Sequence, residues 1–192
     1  GVLETAYDFA RRLKCGDLVL ETIQCETSVF EEYIIRTEPG RCIISAADTE
    51  GIRRGIYRLA VILRNDTADA LPVREEKGTP QIRIRMNRYR FGSEKYPLKG
   101  RDDLLQETDL MPDGYLERFA YEGINYDILS MQSLFVTDIV PVFCSHDSPE
   151  KQALMAKRRE KLRMYVKKAA RYGIKIIFYI NTPQPLKEDD PI

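Results

Sequence analysis

Two stretches repeat one pattern, and that pattern limits what the chain can fold into. Residues 115–122 (YLERFAYE) and 150–171 space their apolar side chains at helical intervals. Each is followed by a glycine, Gly123 or Gly173, and then by a short apolar run, 124–131 (INYDILSM) or 174–180 (IKIIFYI). A glycine just past a helix end suits the left-handed backbone that terminates helices. The apolar runs suit strands covered on both faces of a parallel sheet. Two helix–strand units in succession imply right-handed α/β winding, so an earlier segment must supply the first strand.

The preceding chain reads differently. Residues 2–14 carry Leu3, Ala6, Phe9, Ala10 and Leu13 on one helical face, and 18–24, 30–37 and 41–46 read as strands. Glu38-Pro-Gly40 is a turn that makes the last two strands a hairpin. Asp48 or Thr49 caps a helix over 50–64, in which Gly51 and Gly55 are read as points of close helix–sheet packing. Residues 71–80 are polar and bracketed by prolines, the signature of a domain boundary. Beyond them, 82–90 alternates apolar and basic residues as a strand would, and 92–112 is a long irregular stretch that needs a job. The expected division is 1–72 and 78–192. The fold class is α/β: a small α+β domain with its helices on one face, then three parallel strands.

Thirty basic and thirty acidic residues cancel, which argues against nucleic acid as the main partner. No apolar run reaches the length of a membrane span. The chain opens on Gly1 without a methionine, so the lack of a visible leader carries no information. Cys15, Cys25, Cys42 and Cys144 are scattered and form neither a metal-binding nor a disulfide framework; Cys25 and Cys42 read as buried thiols. No cofactor or metal is expected. Cys144 and His146 read as residues of a solvated loop, and the basic run 157–168 as a solvated helix face.

An ordered series of motifs resembles one group of enzymes. It comprises Glu31-x-Tyr33-x-Ile35, Ile43-Ile44-x-Ala46, Gly51-x-x-x-Gly55-x-x-x-Leu59, Pro80 followed by Arg83-x-Arg85, Gly123-Ile-Asn125 and Ala169-Ala-Arg-Tyr-Gly-Ile174. Together they resemble the small pre-barrel domain and the barrel opening of family 20 hexosaminidases and α-glucuronidases. The resemblance implies that 78–192 is the first part of a (β/α)8 TIM barrel, cut short after three strands. Met86 and Arg90 depart from the glycine and aspartate of the family pattern. The family's strand-four carboxylate pair would lie beyond Ile192.

The resemblance implies Arg85 as a sugar-hydroxyl ligand with Arg83 as its same-face alternate; the bland alternative is that both are ion-paired on a strand face. Barrel enzymes place functional groups at the C-terminal ends of strands, which adds Gln132 after the second strand and Asn181 after the third. Glycoside hydrolysis usually needs two carboxylates. Asp102, Asp103, Glu107, Asp109, Asp113, Asp127 and Asp138 are available, but no catalytic acid is assigned among them. Asp127 is read as paired or at a sheet edge. The resulting expectation is an N-terminal fragment of a periplasmic or extracellular glycoside hydrolase, inactive alone, with carbohydrate as partner. Exposed sheet edges of a truncated barrel would allow self-association. The alternative is a non-enzymatic carbohydrate-binding or interaction module with an open α/β sheet.

Overall fold

The computed structural model describes residues 3–13, 17–64, 71–93, 102–131 and 148–180. In chain order the elements are α1 (Glu4–Arg12), β1 (Val19–Gln24), β2 (Tyr33–Glu38), β3 (Arg41–Ala46), α2 (Thr49–Ile62), β4 (Arg74–Gly78), β5 (Met86–Ser93), α3 (Asp113–Tyr121), β6 (Tyr126–Met131), α4 (Pro149–Arg171) and β7 (Lys175–Ile180). They form a mixed α/β fold with two sheets. The first has the order β1-β3-β2-β4, the second β5-β6-β7.

In the first sheet β1 runs parallel to β3, and β2 runs antiparallel to both β3 and β4. Burial alternates along β3, with Cys42, Ile44 and Ala46 inward. These pack with Ile35 against Ile52, Ile56, Leu59 and Ile62 of α2 and Ala6 of α1. The other face leaves Val19 and Ile23 exposed, so the helices do cover one face. Asp48 caps α2 by accepting from the Gly51 N–H at 2.8 Å.

Gly51 and Gly55 are contact points, as their spacing indicated. A Cβ on Gly55 would lie 2.3 Å from Ile44 Cγ2, and one on Gly51 2.4 Å from the Glu32 carbonyl oxygen. Gly55→Ala should therefore cost about 1–3 kcal/mol by overpacking. Gly114→Ala, with nothing within 4 Å of the new methyl, should be neutral or slightly stabilising. Urea denaturation of the two variants checks the contrast; equal stabilities would remove the packing argument.

Arg74–Gly78 is a strand of the first sheet and not part of a linker. Its polarity misled the sequence reading. It is an edge strand whose charged side chains face solvent or partners, with Arg36 bonded to Glu75, and Arg58 on Glu76 at 2.7 and 2.8 Å. Strand β5 begins at Met86, four residues later than the alternating pattern suggested. Ile82 and Ile84 are exposed, and the backbone there is diverted: the Arg85 N–H donates to Asn125 Oδ1, and the Asn125 and Tyr126 N–H groups donate to the Arg85 carbonyl.

In the second sheet all pairs are parallel. The starts Met86, Tyr126 and Lys175 are level, and so are the ends Ser93, Met131 and Ile180. Strand β5 sets residues 88–90 against the single Ile128 of β6, a bulge. Both α3 and α4 end in the same motif. Gly123 (φ +87°) and Gly173 (φ +72°) take the left-handed position. The Ile124 N–H bonds to the Phe119 carbonyl, and the Ile174 N–H to that of Ala169. The helices share one core with the sheet, built from Leu116, Phe119, Ala120, Leu129, Tyr165, Ala169 and Ile174.

Segment 102–111 covers part of that core with buried Leu104 and Met111. It is tied to α4 by Arg158 on Asp102 (2.9 Å) and Lys168 on Asp109 (2.6 Å). Part of the basic face of α4 thus clasps this segment, while Lys157, Arg163 and Lys167 are exposed. No helix among the described residues is long and apolar enough to cross a membrane. Cys42 is buried and Cys25 half-buried, both as thiols; Cys15, Cys144 and His146 lie outside the described residues.

Candidate functional site

The two halves meet where α2 crosses the C-terminal ends of α3 and α4. Helix C-termini present unpaired carbonyls and the negative end of the macrodipole. Consecutive arginines of α2 answer both. Arg53 Nη1 donates to the Arg171 carbonyl at 2.8 Å, and Arg54 Nη1 to the Ala120 carbonyl at 2.6 Å. Thr5 of α1 also donates to the Arg171 carbonyl. Arg53 is fully buried and is balanced by Glu50 at 3.0 Å.

Arg85 belongs to this seam. It sits just before β5, and its guanidinium donates to the Gly123 carbonyl (2.6 Å), the Ile82 carbonyl (2.5 Å) and the Glu31 carboxylate. Glu31 is buried, with φ +67°. A non-glycine residue there costs about 1–3 kcal/mol and persists only where its surroundings fix it. They do: the Glu31 N–H donates to Asp48 Oδ2 (2.9 Å), and Oε1 accepts from Asn125 Nδ2 (2.9 Å). Asn125 also donates to the Arg83 carbonyl at 2.9 Å. Glu31, Arg85 and Asn125 thus bind the turn before β2, the entry to β5 and the entry to β6 into one network. The Arg83 residue as a whole is exposed.

Arg85 and Arg83 are therefore at the N-terminal end of the parallel sheet. The level strand ends at Ser93, Met131 and Ile180 are the opposite end, roughly 20 Å away for strands of this length. Gln132 and Asn181, which follow β6 and β7 directly, lie outside the described residues. The arginines and these strand ends do not converge on one small ligand. At the C-terminal rim, Tyr179 is half exposed and stands opposite Ser130 in register. It lies in the apolar run 174–180, at the end of the last described strand.

Asp127 has an unusual setting. It is fully buried on β6, the central strand, in phase with Leu129 and so on the helix-facing side. It is neither ion-paired nor at an edge, contrary to the sequence expectation. Its Oδ1 accepts from the Ile128 N–H at 3.0 Å, while Oδ2 is buried without a hydrogen bond. Burial raises its pKa to about 6, against a small lowering by the Ile128 N–H. Among the other candidate acids, Asp102 and Asp109 are engaged with Arg158 and Lys168, and Asp113 accepts from the Tyr172 hydroxyl at 2.8 Å.

No family model matches the chain. No curated protein matches it either. Solved structures do share its fold. A GH138 enzyme targeting pectin rhamnogalacturonan II aligns with a TM-score of 0.65 over 94% of this chain and 24% of that chain, at 17% identity. A glycoside hydrolase family 20 β-N-acetylglucosaminidase aligns with a TM-score of 0.61 over 93% of this chain and 37% of that one, at 16% identity. A β-N-acetylhexosaminidase from Bacteroides fragilis gives a TM-score of 0.53 over 83% of this chain and 32% of that chain, at 18% identity. The chain spans between about a quarter and somewhat over a third of the length of these structures. Its fold is that of a part of glycoside hydrolases of known structure.

Proposed function

We propose that this chain is the N-terminal part of a secreted or periplasmic glycoside hydrolase-like protein acting on oligo- or polysaccharides. Residues 3–78 form the pre-barrel domain, and β5–β7 with α3 and α4 open a (β/α)8 barrel. The observation that carries this reading is the sheet order. Strands β5, β6 and β7 are parallel neighbours in chain order. Both intervening helices pack in one core on one side. A barrel winds in one direction with its helices outside, whereas doubly wound sheets reverse strand order and carry helices on both faces. The likeness to a portion of glycoside hydrolase structures supports the same reading.

On this reading the saccharide lies at the C-terminal rim, as in other barrel enzymes. Gln132 and Asn181 supply planar amides for sugar hydroxyls, with Tyr179 as a stacking surface. Arg85, at the other end of the sheet, serves the seam, and Arg83 beside it is exposed and contributes its carbonyl. The catalytic carboxylates lie on later strands, so residues 1–192 alone do not hydrolyse.

The test uses the longer polypeptide of the same reading frame, incubated with pectic and N-acetylhexosamine-containing oligosaccharides, with reducing-end release as readout. The longer polypeptide should release sugar and residues 1–192 should not. Gln132→Ala and Asn181→Ala should each lower kcat/KM about tenfold or more, with folding unchanged. A reading frame that stops at Ile192, or release by neither polypeptide, would overturn the proposal.

A further inference from the structure

The seam borders an open cavity of about 340 Å³, lined in part by Arg54, Arg58 and Tyr57 of α2, Glu31, Arg85 and Tyr121. That size is at the lower end for small-molecule sites. Most of its charge is matched within the chain. Arg58 grips Glu76 with two hydrogen bonds. Arg85 bonds Glu31, and the other Glu31 oxygen accepts from Asn125.

Arg54 is different. Its side chain is only 10% exposed, and Nη1 is held by the Ala120 carbonyl. Nε and Nη2 are buried without a hydrogen-bond partner. Those two atoms form the side-on edge that suits a carboxylate. Glu31 Oε2 approaches Nε only to 3.6 Å, beyond hydrogen-bond reach. Tyr57 and Tyr121 also line this cavity, and their hydroxyls are buried and unpartnered. Leaving several donors orphaned in one place is costly, because each forfeits its hydration.

We propose that this seam cavity binds a small carboxylate, held side-on by Arg54 Nε and Nη2 and by the hydroxyls of Tyr57 and Tyr121. The electrostatics agree. Burial holds the Arg54 guanidinium below its ordinary pKa, and the nearby Arg85 and Arg53 add to this against the partial relief from Glu31 and Glu50. A bound anion would add a countercharge to the single Glu31 carboxylate that Arg54 and Arg85 share. Burial pushes the Tyr57 hydroxyl up to about 12, so it stays a donor at neutral pH. The cavity is at the end of the parallel sheet opposite the proposed saccharide rim, so either idea can fail without the other.

The probes are acetate and D-glucuronate, with glucose as the neutral control and inorganic phosphate as a second anion, all at constant ionic strength. Saturable acetate or glucuronate binding is expected by calorimetry, with a dissociation constant on the order of 1 mM. A matching ligand-dependent rise in Tm should accompany it. Arg54→Met should weaken binding about tenfold or more. The double variant Tyr57→Phe/Tyr121→Phe should also weaken it while leaving the ligand-free Tm unchanged or higher, since it removes only orphaned hydroxyls. If Arg54→Met does not fold, the double variant decides. No saturable binding of either carboxylate, binding of phosphate alone, or binding unaffected by the variants would each overturn the site; in the first case the cavity holds only water.

Discussion

Glu31→Gln is expected to destabilise the chain by about 3 kcal/mol, because removing one member of a buried ion pair leaves the other uncompensated. Glu31 has 2% side-chain exposure and faces Arg85, with Arg54 3.6 Å away. The glutamine keeps the shape and can still accept from Asn125, but it turns an amide toward a guanidinium and offers no charge to either arginine. Glu21→Gln is the comparison. Glu21 pairs with Arg41 at 2.9 Å on the surface, with side-chain exposures of 39% and 44%, and its loss should cost under about 1 kcal/mol. Urea denaturation monitored by circular dichroism gives both values. Equal losses would mean that the Glu31 network does not hold the two halves together.

Asp127 should make the fold less stable as pH rises, which is unusual for a carboxylate. Its pKa is raised from 3.8 in the unfolded chain to about 6 in the folded one. The folded state therefore binds the proton more tightly. The stabilising contribution is fully present below the unfolded pKa and is lost as pH climbs through about 6. Asp127→Asn removes this dependence. Wild type relative to that variant should be more stable at pH 4 than at pH 7.5 by about 2 kcal/mol. Using the difference cancels the opposite trends of Glu32, Glu76 and Asp109, whose pKa values are lowered. A flat difference across that range would mean Asp127 is not buried as an unpaired acid.

Local chemistry was readable from the sequence where it had local causes. The terminating glycines at 123 and 173, the Asp48 cap and the contact glycines 51 and 55 follow from backbone geometry and helical spacing, and each stands where the pattern put it. Features set by distant partners were not readable. Strand β4 is polar because it is an edge, and its polarity looks the same as a linker's. The Arg83-x-Arg85 alternation imitates a strand, but Asn125, forty residues on from Arg85, captures that backbone. Arg85 had the composition of a sugar ligand; its partner Glu31 is 54 residues away in sequence, and nothing local announces the pairing. The unpaired state of Asp127 likewise depends on what the helices bring over it. One signal was available for the seam: two consecutive arginines, 53 and 54, on an otherwise apolar stretch of α2, which suggests that helix meets polar atoms on its far side.

The most direct test of the central claim is a crystal structure of the longer polypeptide encoded in the same reading frame, soaked with an oligosaccharide. The account predicts that β5, β6 and β7 are the first three strands of an eight-stranded barrel. A later strand would pair along the outer edge of β7 and the last along β5, with the saccharide beside Gln132 and Asn181. A structure in which the following chain folds separately and leaves both edges of β5-β6-β7 without barrel partners would contradict it.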